Sequence, residues 1–232
     1  MREELPPPLP PATRTVGQLV AETVRFYQDH FWRVLPLGLP IAAIDQIPRH
    51  AFVLFAAAPL LTAAYIAASA LVGAVAPTRR SLTVALVSGV VVFVPAAALS
   101  GWFALLAVAW LAFAGFVVPV AVIERTRLRE TFVRARRLAR ADFVHAVGGL
   151  AALAIVYLLV RQVLVVLLKT QGDAAERIAV FLADLVLSPI VFVGAALLYF
   201  DQAARVVDSA HAAVHHAVDA VDAGRPDAQG ES

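Results

Sequence analysis

Residues 124–142 read ERTRLRETFVRARRLARAD, and arginines 125, 127, 129, 134, 136, 137 and 140 fall within this one segment between two long apolar runs. Guanidinium groups do not follow such runs into hydrocarbon, and basic residues beside membrane spans are kept preferentially on the cytoplasmic side. The segment is therefore expected inside the cell, and the orientation of the rest of the chain follows from it. Leu128, Phe132, Ala135, Leu138 and Phe143 recur among the charges at helical spacing. That pattern predicts a short helix lying in the interface with its apolar stripe in the acyl boundary. The bland reading is a loop that only sets topology. The sharper one makes Arg134, Arg136, Arg137 and Arg140 contacts for anionic lipid headgroups.

Composition agrees with a bilayer as solvent. Of 232 residues 61% are hydrophobic and 16% charged, and the mean hydropathy is +0.80. This is too apolar for a water-exposed surface. A net charge of +2 and a pI near 9.4 raise nucleic acid as a partner. The basic residues, however, sit at the ends of apolar runs and not on a stripe interleaved with aromatics, so that partner is set aside. There is no cysteine, which excludes disulfides, thiolate nucleophiles and cysteine-type zinc sites. The first residues, MREELPPPLPPATRT, contain no apolar stretch before a small-residue cleavage site, so no secretory signal is expected there.

Outward from the arginine segment, the chain divides into a proline-rich tail at 1–14, expected disordered, a membrane domain at 15–206, and a cytoplasmic amphipathic helix with a frayed end at 207–232. Thr15 and Gln18 have capping-box spacing, and Val16, Leu19, Val20, Val24, Tyr27 and Phe31 mark one face of an interfacial helix. Spans are expected at about 31–47, 51–75, 82–99, 102–123, 143–168 and 178–200. The first contains Arg33, Pro36, Gly38, Pro40 and Asp45, and is short and kinked. The run 81–123 is too long for one crossing and is divided at Ser100-Gly101 into a hairpin. With six spans, most arginines fall on the cytoplasmic side. Dropping the first span while holding 124–142 inside would expel the N-terminal arginines, against the positive-inside bias. The fold class is thus an all-α polytopic membrane bundle of six transmembrane helices with amphipathic interfacial helices, multi-pass in the cytoplasmic membrane with both termini inside.

Lipid tails are as apolar as leucine, so the helices must associate through close backbone approach and scattered polar contacts. Ala64 and Ala68, Ser69 and Gly73, and Gly148 and Ala152 have small-xxx-small spacing, and Pro59, Pro95, Pro119 and Pro189 lie within spans. Arg161 and Asp184 each sit in an apolar run, where a lone charge costs about 2.5–3.5 kcal/mol on insertion scales. Both lie roughly 10–12 Å from the far ends of antiparallel helices at 1.5 Å per residue. Equal depth predicts an ion pair between them, which Asp45 can join. It acts either as an interhelix lock or as part of a proton or solute path.

In the C-terminal helix Asp208, His211, His215, Asp219 and Asp222 share a stripe, and His211 and His215 at i and i+4 have the spacing of a zinc or nickel pair. The competing reading is the polar face of an amphipathic helix, with Val207, Ala210, Val214, Ala217 and Val221 opposite, and no cofactor. Enzymatic function has little to stand on. Ser100, Thr62 and Ser69 have no histidine within the apolar runs to activate them, and no P-loop, GxSxG or HExxH occurs.

The stretches RTVGQLVAETVRFYQDHFWRVLPL, FVVPVAVIE with RETFVRARRLARADFVHAVGG, and SPIVFVGAALLYFDQAARV resemble the membrane domain attached to glycerophosphoryl diester phosphodiesterases, also found as a free-standing bacterial integral membrane protein. The resemblance spans about residues 13–206. It departs where that family often has serine, here Ala135, and the soluble phosphodiesterase barrel is missing. It implies a membrane module linked to glycerophospholipids and does not license the hydrolase activity. The function expected is a noncatalytic membrane module associated with anionic lipid, a protein partner or a second copy of the chain. The alternatives are a small-solute transporter or channel and, further off, a membrane-bound glycerophospholipid enzyme.

Overall fold

The computed structural model of the chain describes residues 10–47, 51–100, 103–168 and 172–223, the backbone alone at 51–56, 100, 168, 173 and 213–223. Every regular element among the described residues is helical. Helix α1, Val16–Asp29, starts on a reciprocal cap: the Gln18 amide N–H donates to Thr15 Oγ1 at 3.3 Å and the Thr15 N–H donates to Gln18 Oε1 at 2.8 Å. Its inward face is Leu19, Thr23 and Tyr27. The Thr23 hydroxyl donates to Leu19 O at 2.7 Å, so its burial leaves nothing unpaired.

The expected first span is broken. Phe31–Val34 forms α2, Leu35–Gly38 a 3-10 turn and Leu39–Asp45 α3. Pro36 and Pro40 each remove a backbone donor, so the helix restarts twice. With 7 residues, α3 is only about 10 Å long.

Helix α4 is Ala51–Val72, α5 Arg79–Ser100, α6 Ala104–Ala114 and α7 the short Val117–Pro119, which opens into a π turn at Val120–Glu124. Helix α8, Leu128–Ala141, carries the arginines. Helix α9 is Phe143–Leu168, and α10 runs 51 residues, Asp173–Ala223. Among the described residues four stretches are helical, long and apolar enough to cross a membrane: Arg79–Leu99, Ala104–Glu124, Phe143–Leu167 and Ala174–Ala212, with a shorter apolar helix at Ala57–Val72.

Helix α10 is the post around which the others gather, packing on α9, α4, α1, α3 and the Leu35–Gly38 turn. The apolar window of Ala104–Glu124 is 56% buried and that of Phe143–Leu167 only 6%. The former therefore lies inside the bundle and α9 at its rim. The core is built from Phe116, Val117, Val118, Val120, Ala121 and Val122 against Tyr65, Phe93 and Phe192. Tyr65 meets Phe93 edge-on at 6.1 Å, an arrangement aromatic quadrupoles favour. Ala64, Ala68 and Ser69 are buried along α4, and Ser69 Oγ donates to Tyr65 O at 2.8 Å. Small residues thus let backbones approach, as association in lipid requires.

Two boundaries and one helix face differ from expectation. The tail does not extend to residue 14: Pro11–Thr13 is a 3-10 turn and Arg14 is buried, because a guanidinium there meets a buried carboxylate. Residues 1–9 lie outside the described residues. The α8 stripe is rolled. Thr131, Ala135, Leu138 and Ala139 face the bundle while Leu128, Phe132 and, beyond the helix, Phe143 are exposed. The helix seats on its small residues, which permit closer approach than the bulky stripe. Finally, α10 continues through 206–207 without a break, and residues 224–232 lie outside the described residues.

Candidate functional site

The arginine helix is held in a fixed roll. Beyond the π turn Arg125 takes a left-handed conformation, φ 54°, and its Nη2 donates to Ala76 O at 3.1 Å. The chain then re-enters a helix whose first turn is closed by Glu130, which accepts from the Arg127 N–H at 3.2 Å. Arg134 turns inward. Its Nε donates to Glu124 Oε1 at 3.0 Å and Oε2 at 3.2 Å, and the Tyr199 hydroxyl donates to Glu124 Oε1 at 2.9 Å. One carboxylate so ties α8 to α10. Of the four arginines expected at lipid, Arg134 is thus taken up within the protein. Arg136, Arg137 and Arg140 are exposed, as is Arg129.

Two depressions flank α8. One, about 560 Å³, is lined by Arg127, Arg129, Glu130, Val133, Arg134 and Arg137. The other, about 650 Å³, lies between α8 and α10 and is lined by Val133, Arg136, Arg137, Arg140, Ala141, Val206, Ser209 and Ala210.

Beside the second depression a polar cluster seals the junction of α8, α9 and α10. Asp142 Oδ1 caps α9 by accepting from the His145 N–H at 2.9 Å, and its Oδ2 accepts from Arg205 Nη1 at 2.5 Å. The Gln202 amide spans the same corner, donating to Asp142 O at 3.0 Å and accepting from the Asp142 N–H at 3.2 Å. Arg14 reaches into the cluster to donate to Asp201 Oδ1 at 2.7 Å, and Arg205 Nη2 donates to Arg14 O at 3.0 Å. Asp201 is fully buried, with His145 Nε2 3.6 Å from its Oδ2.

The structure brings Arg161 and Asp184 together at the opposite end of the bundle. Arg161 Nε donates to Asp184 Oδ1 at 2.8 Å, and Arg161 Nη2 donates to Asp45. Tyr157, one turn back on α9, donates its hydroxyl to the same Asp184 Oδ1 at 2.6 Å. Asp184 is fully buried whereas Asp45 and Arg161 reach an open cleft of about 440 Å³ lined also by Gln46, Glu176 and Arg177. A buried carboxylate with a guanidinium and a hydroxyl on one oxygen is a strong fastening for three chain segments.

His211 is exposed on α10, and His215 lies among residues whose side chains are outside the description. Among the described residues no group of three or more histidine, aspartate or glutamate side chains is arranged to hold a metal. The hydroxyls of Thr62 and Ser69 donate to carbonyls one turn back, Ala58 O and Tyr65 O.

Sequence reasoning did not single out Tyr157, Tyr199, Glu124, Asp201, Gln202 or Arg14. The spacing of Asp201 and Arg205, i and i+4 at the end of an apolar helix, was a usable signal for the second cluster. A tyrosine in an apolar helix carries none.

Helix lengths, apolar character and charges fastened inside the bundle place the chain among helical proteins able to span a membrane. Comparison with protein-family models, curated proteins and solved structures finds no match.

Proposed function

We propose that the chain is a noncatalytic integral membrane module, multi-pass in the cytoplasmic membrane with both termini inside, that holds anionic lipid against its arginine helix. The observation that carries the lipid reading is the division of labour on α8. Arg134 is neutralised by Glu124, while Arg129, Arg136, Arg137 and Arg140 stand exposed beside the exposed apolar side chains Leu128, Phe132 and Val133. Guanidiniums beside acyl-seeking side chains are what a headgroup layer of phosphates attracts, at about 1 kcal/mol per arginine. The likeness of the quoted stretches to a glycerophosphodiesterase-associated membrane domain points toward the same lipid class.

Support for six crossings comes from the path of 14–45. Arg14 is fastened to Asp201 and Asp45 to Arg161, which itself bonds Asp184. Asp184 and Asp201 are 17 residues apart on α10, about 25 Å at 1.5 Å per residue. The stretch 14–45, α1 together with the broken segment, therefore covers that length along α10 while packed in protein. Helix α1 accounts for most of it, because Tyr27 already bonds Val186 O. Irregular backbone beyond it is tolerated at membrane depth where protein surrounds it.

The test is thermal unfolding of the full chain in detergent with added lipid. Anionic lipid is expected to raise Tm and zwitterionic lipid to leave it unchanged, and a variant with Arg129, Arg136, Arg137 and Arg140 all replaced by Gln should lose the response. An equal response to both lipids sinks the proposal.

A second reading, a small-solute pathway, is favoured by one observation: the open cleft that reaches the guanidinium of Arg161. Protection of a cysteine placed at Val165 from a water-soluble thiol reagent would count against it.

A further inference from the structure

We infer that the groove between α8 and α10 is a site for the phosphomonoester headgroup of a membrane lipid. This rests on the lipid reading above and narrows it to one place and one chemical class.

The two depressions beside α8 differ in charge balance. The first sets Arg127, Arg129 and Arg137, the last shared with the second, against Glu130, with Arg134 already neutralised. The groove toward α10 presents Arg136, Arg137 and Arg140 with no acidic side chain among the described residues of its walls. Arg205, next to Val206 on the facing helix, is committed to Asp142 and adds nothing. Three uncompensated guanidiniums on one helical turn call for a ligand with more than one negative charge. A phosphomonoester carries about −1.5 to −2 at pH 7 and offers three terminal oxygens, enough to accept from two forked guanidiniums at once. A phosphodiester headgroup carries a single charge and two free oxygens.

That the phosphate belongs to a lipid follows from what surrounds it. The groove also exposes Val133, Val206 and Ala210. It opens where α8 gives way to α9, whose first residues, Phe143 and Val144, are 42% and 81% exposed at the start of an apolar helix. A headgroup seated on the arginines would have its acyl chains directed onto those side chains. A soluble phosphate or a phosphorylated peptide would leave them unused.

The experiment is native mass spectrometry of the full chain in detergent, titrated with phosphatidic acid, phosphatidylglycerol, inorganic phosphate and a phosphoserine peptide. Phosphatidic acid should bind about tenfold more tightly than phosphatidylglycerol, the gain of one further charge-assisted bond. That preference should shrink as pH falls through about 6, where the dianionic monoester takes up a proton and becomes a monoanion. Arg136→Gln and Arg140→Gln should each weaken phosphatidic acid binding about fivefold, and Arg80→Gln, exposed on α5 and outside the groove, less than twofold. All three arginines are exposed, so the variants should unfold at the temperature of the parent.

Equal binding of the two lipids, or an Arg80→Gln loss as large as that of Arg140→Gln, overturns the groove while leaving the general lipid reading intact. Binding of neither lipid overturns both. Inorganic phosphate or the phosphopeptide matching phosphatidic acid overturns the assignment to a lipid.

Discussion

Gly38 stands so close to α10 that a β-carbon placed on it would lie 2.1 Å from the carbonyl oxygen of Leu185. The oxygen is accessible because Pro189, four residues on, has no N–H to donate to it. The backbone of Gly38 fills the notch with a C–H directed at the oxygen, a weak but recurring stabilisation at helix contacts. At the very next residue Tyr27 donates its hydroxyl to Val186 O at 2.8 Å. Gly38→Ala is expected to destabilise by about 3 kcal/mol or more, since the clash is with backbone and no rotamer can relieve it. The loss of folded, monodisperse protein on size-exclusion chromatography checks this, and parental yield and Tm would contradict it.

Arg161→Met leaves Asp184 fully buried with Tyr157 as its remaining partner in the cluster. Removing one member of a buried pair typically costs about 3–5 kcal/mol, because the other charge stays behind in a medium that cannot solvate it. Arg161→Met should therefore lower Tm sharply, and adding Asp184→Leu should restore part of the loss. A double variant no more stable than the single would mean that the two side chains are not energetically coupled.

Tyr199→Phe removes one of the bonds holding Glu124, and Glu124→Gln weakens the bond to Arg134 as well. Both changes act on the fastening between α8 and α10 and not on the core. They are expected to speed hydrogen exchange in 128–141 with little change in α4 or α5, Glu124→Gln more than Tyr199→Phe, at about 1–3 kcal/mol for the charged bond. Uniform exchange across the whole chain would indicate global destabilisation instead.

The charges of the far cluster were legible in the sequence because a charged residue inside an apolar run has no innocent explanation, and equal depth on antiparallel helices names its partner. The roll of α8 was not. Leu128, Phe132, Ala135 and Leu138 and the face that is buried, Thr131, Ala135, Leu138 and Ala139, share two positions. Hydropathy favours the first set, while in a bundle whose surroundings are themselves apolar the contact goes to the smaller side chains. The Glu124–Arg134 pair was hidden for another reason. Its ten-residue separation is bridged by the end of a π turn and a left-handed arginine, neither of which has a sequence signature. The break at 31–47 was visible in Pro36 and Pro40, but the glycine between them that docks on α10 was not distinguishable from one that merely kinks the chain.

Arg14 tests whether the N-terminal segment is part of the domain. Its guanidinium pairs with Asp201, which is 0% exposed, and its carbonyl accepts from Arg205. Arg14→Met should strand the carboxylate, destabilising by about 3 kcal/mol, and should free the 10–15 backbone for proteolysis ahead of the rest of the chain. Adding Asp201→Asn removes the stranded charge, so the double variant should regain Tm while its N-terminal segment stays protease-sensitive, because the anchor is still missing. If Arg14→Met alone leaves both Tm and cleavage unchanged, the segment is held by the bundle through Leu19 and Tyr27 and not through its arginine.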